Sequence, residues 1–302
     1  MDSRLKLISN SSLCSVHSCP RRYQLTKLYP LATRDATIHT EFGKAFGEGM
    51  QVLLSGSSLQ DAVLSAVPLW TLDLEEEEKG KSFWHCITAL EKFSLIMQTS
   101  ALSEYEVARF GPEQKPACEL SFSIALPDGF YYRGYVDIVM RHRLTGTYLV
   151  VDIKSTGSNY INPAKYTHST QALGYSVVMD HVAPGQSQYE VMYYEYSTST
   201  HKFIDHIFMI GNLQRAEWLR DLLLDIQIMK LYNTYSEWPK HGESCLSYNR
   251  PCQFLDVCTM STDSLCGSSK ELADAAELDS RKLVDYDIVV SLEQLIESQL
   301  DR

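Results

Sequence analysis

Between Ala117 and Thr156 the apolar residues alternate with a period of two, and the breaks in that alternation are turn sequences that fix how the strands pair. Pro127-Asp128-Gly129 suits a three-residue hairpin loop: proline presets the first turn position and glycine takes the left-handed one. Facing residues then have numbers summing to 256, so Glu119 meets Asp137 and Leu120 meets Val136. Arg143-Leu144-Thr145-Gly146 makes an even loop whose facing pairs sum to 289, so Asp137 meets Asp152. Side chains alternate across a strand. Both registers therefore place Val136, Ile138, Met140, Leu149, Val151 and Ile153 on an apolar face, with Glu119, Asp137, Asp152 and Lys154 on the other.

Opposed like charges on neighbouring strands, with side chains only ~5 Å apart, repel each other. One reading of this face is an ordinary solvated surface. The other places a cation between the carboxylates, and all-oxygen ligands at that spacing suit a hard divalent ion, Mg²⁺ or Mn²⁺, which keeps waters and recruits phosphate oxygens. Lys154 beside such an ion could orient a water or stabilise charge on a phosphate during in-line displacement.

The rest of the chain frames these strands. Ser9 to Ser12 offer helix N-caps, Cys19-Pro20-Arg21-Arg22-Tyr23 opens a helix, and Phe42 to Leu54 forms a glycine-rich one. Leu59 to Glu106 is helical by its spacing, with Phe83, Ile87, Leu90 and Phe93 on one side, and is broken by the acidic Asp73 to Glu78 run. After Asn162-Pro163 a helix runs to about Asp180, two strands follow (188–197 and 202–209), and a long helix covers Gln214 to Tyr235. This order predicts an α/β chain with a mixed sheet flanked by helices. The expected divisions are a helical region 1–116, a core 117–240, a cysteine-rich loop 241–266, and a flexible acidic tail 267–302 with a short helix from Ser291 to Leu300.

The 302 residues are 44% hydrophobic, ample for a packed core. No run approaches ~18 apolar residues and Met1 to Pro20 carries no signal-peptide core, so the expected setting is cytoplasmic and reducing. The net charge of −11 argues against a nucleic-acid partner only at first sight. Ser268 to Arg302 holds nine acids and four bases, and Asp73 to Glu78 adds five acids, whereas the charge that matters to a cleft is local. Eight cysteines in a reducing compartment are poor disulfide candidates, which leaves metal ligation, iron-sulfur ligation or burial. Cys245, Cys252 and Cys258 form C-x6-C-x5-C and need a fourth ligand, with none of the tight knuckles of structural zinc sites. Cys86 and Cys118 sit alone in apolar surroundings and read as core residues.

Gly134-Tyr135-Val136-Asp137, Val151-Asp152-Ile153-Lys154 and Gln171-Ala172-Leu173-Gly174-Tyr175 succeed one another in the pattern G-x-[IV]-D, D-x-K and Q-x-x-x-Y. Together with Cys19-Pro20-Arg21-Arg22-Tyr23, they make the chain from about Ser9 to Cys258 resemble the RecB-type branch of the PD-(D/E)XK nuclease superfamily. The resemblance implies a restriction-endonuclease-like core and metal binding by Asp137 and Asp152, with the Ile153 carbonyl as a further ligand. It also implies a catalytic role for Lys154, and places Gln171 and Tyr175 at the edge of the site or against nucleic acid; packing of their helix on the sheet is the plainer reading. The family often carries G-x-x-x-H on the early helix, but Gly43-Lys44-Ala45-Phe46-Gly47 ends in glycine. His39 lies ~12 Å along the helix axis from that position and cannot substitute. A water, Glu119 or loss of catalysis could answer the missing histidine.

Iron-sulfur members of this branch, the AddB-type and CRISPR-associated exonucleases, carry one cysteine before the core and three after it. By that likeness Cys19, Cys245, Cys252 and Cys258 would hold a [4Fe-4S] cluster, with zinc as the competitor and Cys14 and Cys266 as alternates. Arg21, Arg22, Lys27, Arg34, Lys44 and Lys165, interleaved with Tyr23, Tyr29 and Tyr166, could contact phosphates and stack on bases, and His168 could face the cleft; solvated or structural positions are the plainer reading for all of them. The function expected is a metal-dependent DNA nuclease, an exonuclease or end-processing enzyme in recombination, repair or phage DNA metabolism. The alternatives are a catalytically inactive DNA-binding module and a structural protein whose motifs coincide by chance. The acidic tail could dock a protein partner or simply solubilise the chain.

Overall fold

The computed structural model describes residues 3–28, 37–159, 162–186, 188–235, 238–247, 250–259 and 288–291. In chain order the elements are β1 (Leu7–Ile8), α1 (Asn10–Ser18), α2 (Pro20–Tyr23), α3 (Ile38–Leu54), α4 (Leu59–Ala66) and α5 (Phe83–Met97). Short strands β2 (Tyr105–Val107), β3 (Arg109–Phe110) and β4 (Lys115–Pro116) lead into the long strands β5 (Cys118–Leu126), β6 (Phe130–His142) and β7 (Tyr148–Thr156). Then come α6 (Thr170–Val182), β8 (Gln188–Ser197), β9 (Lys202–Gly211), α7 (Asn212–Tyr235), β10 (Leu246–Ser247), β11 (Arg250–Pro251) and β12 (Ile288–Ser291).

The chain forms two compact units. One comprises Asp35–Leu120 and Tyr135–Arg215; the other comprises Met1–Arg34, Ser121–Gly134 and Ala216–Arg302. The first unit carries a mixed sheet in which β6 pairs antiparallel with β2 and β7, β7 parallel with β8, and β8 antiparallel with β9. Ile138 pairs with Val151 and Met140 with Leu149, which is the register summing to 289, and His142 and Thr147 close the four-residue turn where Gly146 is left-handed. Val139 N–H donates to the Ala117 carbonyl, as the sum of 256 requires.

On one face Ile138, Met140, Leu149 and Val151 join Phe42, Phe46, Met50, Leu90 and Phe93 of α3 and α5 in an apolar core. That face is buried because the helices present matching stripes: Ser58 and Ser82 cap α4 and α5, and Thr37 with Thr40 makes a capping box at α3. Helix α6 packs against β8. A sheet covered on both sides reads as a continuous apolar run, which is how Leu149 to Val151 reads.

In the other unit β5 and β6 turn through Pro127–Gly129, with both Asp128 and Gly129 left-handed, while β1 pairs parallel with β6 and β12 parallel with β5. Ser9 caps α1 and Pro20 opens α2, as the sequence suggested. Three expectations are corrected. The helix after Pro163 starts only at Thr170, because Pro163–Lys165 forms a 3₁₀ turn and Ser169 is the residue that caps α6. Tyr105 and Glu106, expected to be helical, belong to a strand, Tyr105–Val107, paired with β6. Ile288–Ser291, expected within a flexible tail, is a strand, as its Ile-Val-Val run favours. The rest of that tail, including the helix proposed beyond Ser291, lies outside the described residues, as do Tyr29, Arg34 and Cys266.

Gly134 heads the G-x-[IV]-D motif for a packing reason: a β-carbon there would lie 2.8 Å from the Phe122 ring, which is fully buried beside Tyr132. Gly134→Ala should lower unfolding free energy by about 1–3 kcal/mol, the usual cost of overpacking a core. An unchanged thermal midpoint would show that the ring yields freely.

Candidate active site

Strands β6 and β7 carry Asp137 and Asp152 one residue beyond the Ile138–Val151 pair, and α6 brings Gln171 and Tyr175, one helical turn apart, against Asp152. Asp152 is fully buried, which rules out the reading of an ordinary solvated face. Its Oδ1 accepts from Gln171 Nε2 at 3.0 Å and from Tyr175 OH at 3.3 Å. Lys154 Nζ lies 2.6 Å from Oδ2 and 3.4 Å from Gln171 Oε1. The Gln171 amide can have only one orientation here: lysine is donor-only and a carboxylate acceptor-only, so its oxygen faces Lys154 and its nitrogen Asp152. Gln171 Nε2 also donates to Tyr175 OH at 2.6 Å. Asp137 Oδ2 accepts the Ile153 N–H at 3.1 Å.

Burial pushes the Asp137 carboxyl up to about 7, with Asp152 adding repulsion and Lys154 opposing it. Burial likewise raises Asp152, against the attraction of Lys154. Burial alone would lower Lys154, but Asp152 and Asp137 outweigh it and hold the ammonium above its ordinary value.

Oδ2 of Asp152 is the telling atom. It is buried, and what it meets is the Lys154 ammonium, 2.6 Å away as an ion pair. A buried carboxylate beside a second raised carboxyl is a donor set that fits a hard divalent cation, and Mg²⁺ needs only one or two carboxylates besides waters. Glu119 does not complete a three-carboxylate group. Its backbone is left-handed (φ 50°) and its Oε1 accepts from Gln51 Nε2 at 3.0 Å, close to Glu48, whose carboxyl burial and Glu119 together raise. Among the described residues no group of three or more His, Cys, Asp or Glu side chains stands close enough to hold a metal ion. At Gly47, where the family histidine would stand, a β-carbon would meet nothing within 4 Å, while His39 pairs with Glu78 at 3.4 Å.

The cysteines are included in that absence: among the described residues their sulfurs form no metal-binding group. Cys19 is buried and Cys245, Cys252 and Cys258 are half-buried, while Cys14 is exposed. Cys86 lies in the core with its thiol pushed up to about 12 by burial, and burial also raises Cys118, consistent with packing roles.

Most of the suggested phosphate and base contacts are committed elsewhere. Tyr23 is buried against Trp238, and Tyr166 is buried in a stack on Tyr193 with centroids 4.0 Å apart, so neither offers a ring to a base. Arg21 is buried, bonded to Gln24 and to the Cys258 carbonyl. Arg22 donates to Ser18 and Lys44 pairs with Glu41. His168 is exposed. Sequence reasoning missed Glu195: it is buried beside Lys154, accepting from Tyr166 OH at 2.8 Å and Lys165 Nζ at 3.2 Å. Its signal was a charged residue inside the apolar run of β8.

The profile of the PD-(D/E)XK nuclease superfamily matches residues 7–259. The fold matches the 2.19 Å crystal structure of a candidate exonuclease from Eubacterium rectale, at a TM-score of 0.50 and 10% identity, over 86% of this chain and 95% of that one. No curated protein matches the sequence. Among the described residues no helix is long and apolar enough to cross a membrane.

The raised carboxyl gives a signed expectation for the metal-free protein. Folded Asp137 keeps its proton up to about pH 7 while the unfolded chain loses it near the ordinary carboxylate value, so this group costs stability as pH rises from about 4 to 7. Asp137→Asn should therefore melt higher than wild type at pH 8 in chelator and nearly equal to it near pH 4. A difference independent of pH would contradict the assignment.

Proposed function

The chain belongs to the PD-(D/E)XK nuclease superfamily, and on that premise we propose that it is a metal-dependent DNA nuclease hydrolysing phosphodiesters at the Asp137–Asp152 pair. The observation that carries the reading is the fully buried Asp152 carboxylate, set between a second, raised carboxyl and a lysine. Asp137, Asp152 and the Ile153 carbonyl are the residues that would hold Mg²⁺ or Mn²⁺. When bound, such an ion supplies a nucleophilic water at neutral pH and draws charge from the phosphate. Lys154, kept protonated by the two carboxylates, places a positive charge where the phosphate oxygens become more negative. Gln171 holds Asp152 and Lys154 at fixed separation, one with each end of its amide, and Tyr175 supports both Gln171 and Asp152. Action as an exonuclease or end-processing enzyme in recombination, repair or phage DNA metabolism draws on the sequence resemblance. The rival reading, a DNA-binding module without catalysis, draws on Gly47 and on the absence of a third ligand side chain among the described residues.

Asp137→Ala and Asp152→Ala should each abolish cleavage of single-stranded and duplex DNA in Mn²⁺ or Mg²⁺ while leaving DNA binding largely intact, since phosphate contacts elsewhere supply most affinity. Full activity in either would overturn the site. Lys154→Ala should slow the reaction by roughly 10²–10³-fold, the usual loss for one electrostatic donor, with Mn²⁺ affinity little changed. Wild-type protein that binds DNA but cleaves none in either metal would favour the rival.

The [4Fe-4S] cluster on Cys19, Cys245, Cys252 and Cys258, or zinc in its place, is part of the same proposal. Its support is chain placement: Arg21 N–H donates to the Pro239 carbonyl, Arg21 Nε to the Cys258 carbonyl, and Cys252 N–H to the Cys245 carbonyl. Anaerobically purified protein should be brown, with about four iron and four sulfide per chain. Colourless protein with stoichiometric zinc would replace the cluster, and protein with neither metal would remove the site.

A further inference from the structure

We propose that Lys165 is a preset contact for a backbone phosphate of the bound nucleic acid, held ready by the buried Glu195; the inference rests on the nuclease reading. Lys165 ends the 3₁₀ turn Pro163–Lys165 that leads to α6. Its ammonium lies 3.2 Å from Glu195 Oε1 and 4.6 Å from the Tyr166 ring centroid, yet its side chain is 57% exposed. The anchor beneath it is rigid. Glu195 is 2% exposed, and its other oxygen accepts from Tyr166 OH at 2.8 Å. Tyr166 stacks on Tyr193, whose hydroxyl lies 2.5 Å from Oγ of Ser169, the N-cap of α6.

Three features set this lysine apart from a plain surface ion pair. An ammonium has three N–H donors and Glu195 takes one, which leaves two for a ligand. The rotamer freedom that a long cationic side chain loses on binding is already restricted by the carboxylate and the ring, so less is lost when a phosphate arrives. Placement is the third. Glu195 pairs in register with Lys154 across β7 and β8, strands that run ~4.8 Å apart. Register partners share a face, so Lys165 is anchored one strand over from Lys154, on the face that carries Asp152 and Tyr193. A strand with its scissile phosphate at Lys154 brings a neighbouring phosphate past this point. Lys44, by contrast, is held by Glu41 of its own helix, and Lys81 is buried under Ser155.

The test is fluorescence anisotropy of fluorescein-labelled single-stranded and duplex oligonucleotides on full-length Asp152→Ala protein, titrated from about 50 to 200 mM KCl. Adding Lys165→Met should weaken binding several-fold for every sequence tried and reduce the slope of log affinity against log salt by about 0.7 on single strands or 0.9 on duplex, the counterions of one phosphate contact. Lys165→Arg should keep the parent slope. Glu195→Gln should keep the slope but lower affinity, because the cation remains while its placement loosens. An unchanged slope in Lys165→Met overturns the contact, whether or not the melting temperature falls, since a purely structural lysine releases no counterion. Parent protein that binds no oligonucleotide at any salt would bring down the nuclease reading and this inference together; parent binding with a slope indifferent to residue 165 brings down this inference alone.

Discussion

The arrangement of the site depends on one costly feature, a fully buried carboxylate, Asp152, held against a half-buried one, Asp137. Asp152 has no contact with solvent, Asp137 lies across from it, and burial raises both. Buried charges of like sign persist only where neighbours or a ligand compensate them. The neighbours here compensate in part. Lys154 gives Asp152 an ion pair, Gln171 and Tyr175 satisfy one of its oxygens, and the Ile153 N–H satisfies one of Asp137. One lysine offsets one of the two negative charges, and the second is what a divalent cation would neutralise.

The surrounding packing keeps the carboxylates from escaping this conflict. Ile138, Met140, Leu149 and Val151 alternate with the site residues along β6 and β7, and each is locked into the core against α3 and α5. A one-residue slip would expose that whole apolar set, so register is fixed far more strongly by the core than it is opposed by charge repulsion. The other side of the sheet is held through hydrogen bonds. Ser169 links the start of α6 to Tyr193, and Gln171 and Tyr175 come next on that helix. Glu195 extends the same layer, tying Tyr166 and Lys165 to the strand next to Lys154. Rigid elements thus set the spacing of each charged group, as a site that must match a phosphate requires.

Much of this was legible because turn chemistry and side-chain alternation are local. Arg143 to Gly146 gave the register of β6 on β7, and with it the opposition of Asp137 and Asp152. Helix spacing gave Gln171 and Tyr175 a common face. What the sequence withheld depends on packing between distant segments. Glu119 counted as a third carboxylate by strand alternation, but its left-handed backbone breaks the alternation and turns the side chain toward Gln51. Tyr23 and Tyr166 looked like stacking surfaces because aromatic residues beside basic ones suit nucleic acid, yet each finds an internal ring, Trp238 and Tyr193. Glu195 went unnoticed because its partners, Tyr166 and Lys165, lie on a distant segment that no strand period connects to it. Ile288 to Ser291 escaped because the acidic composition around a short β-branched run obscured it.

Whether a divalent ion sits between Asp137 and Asp152 can be read from anomalous diffraction of crystals soaked in MnCl₂, which locates the ion without depending on turnover. A single strong peak is expected within ligand distance of Asp152 Oδ2 and an Asp137 carboxylate oxygen, lost in crystals of Asp152→Ala. Fully soaked wild-type crystals with no peak between these carboxylates, and with Lys154 still against Oδ2, would contradict a metal-dependent site at this pair.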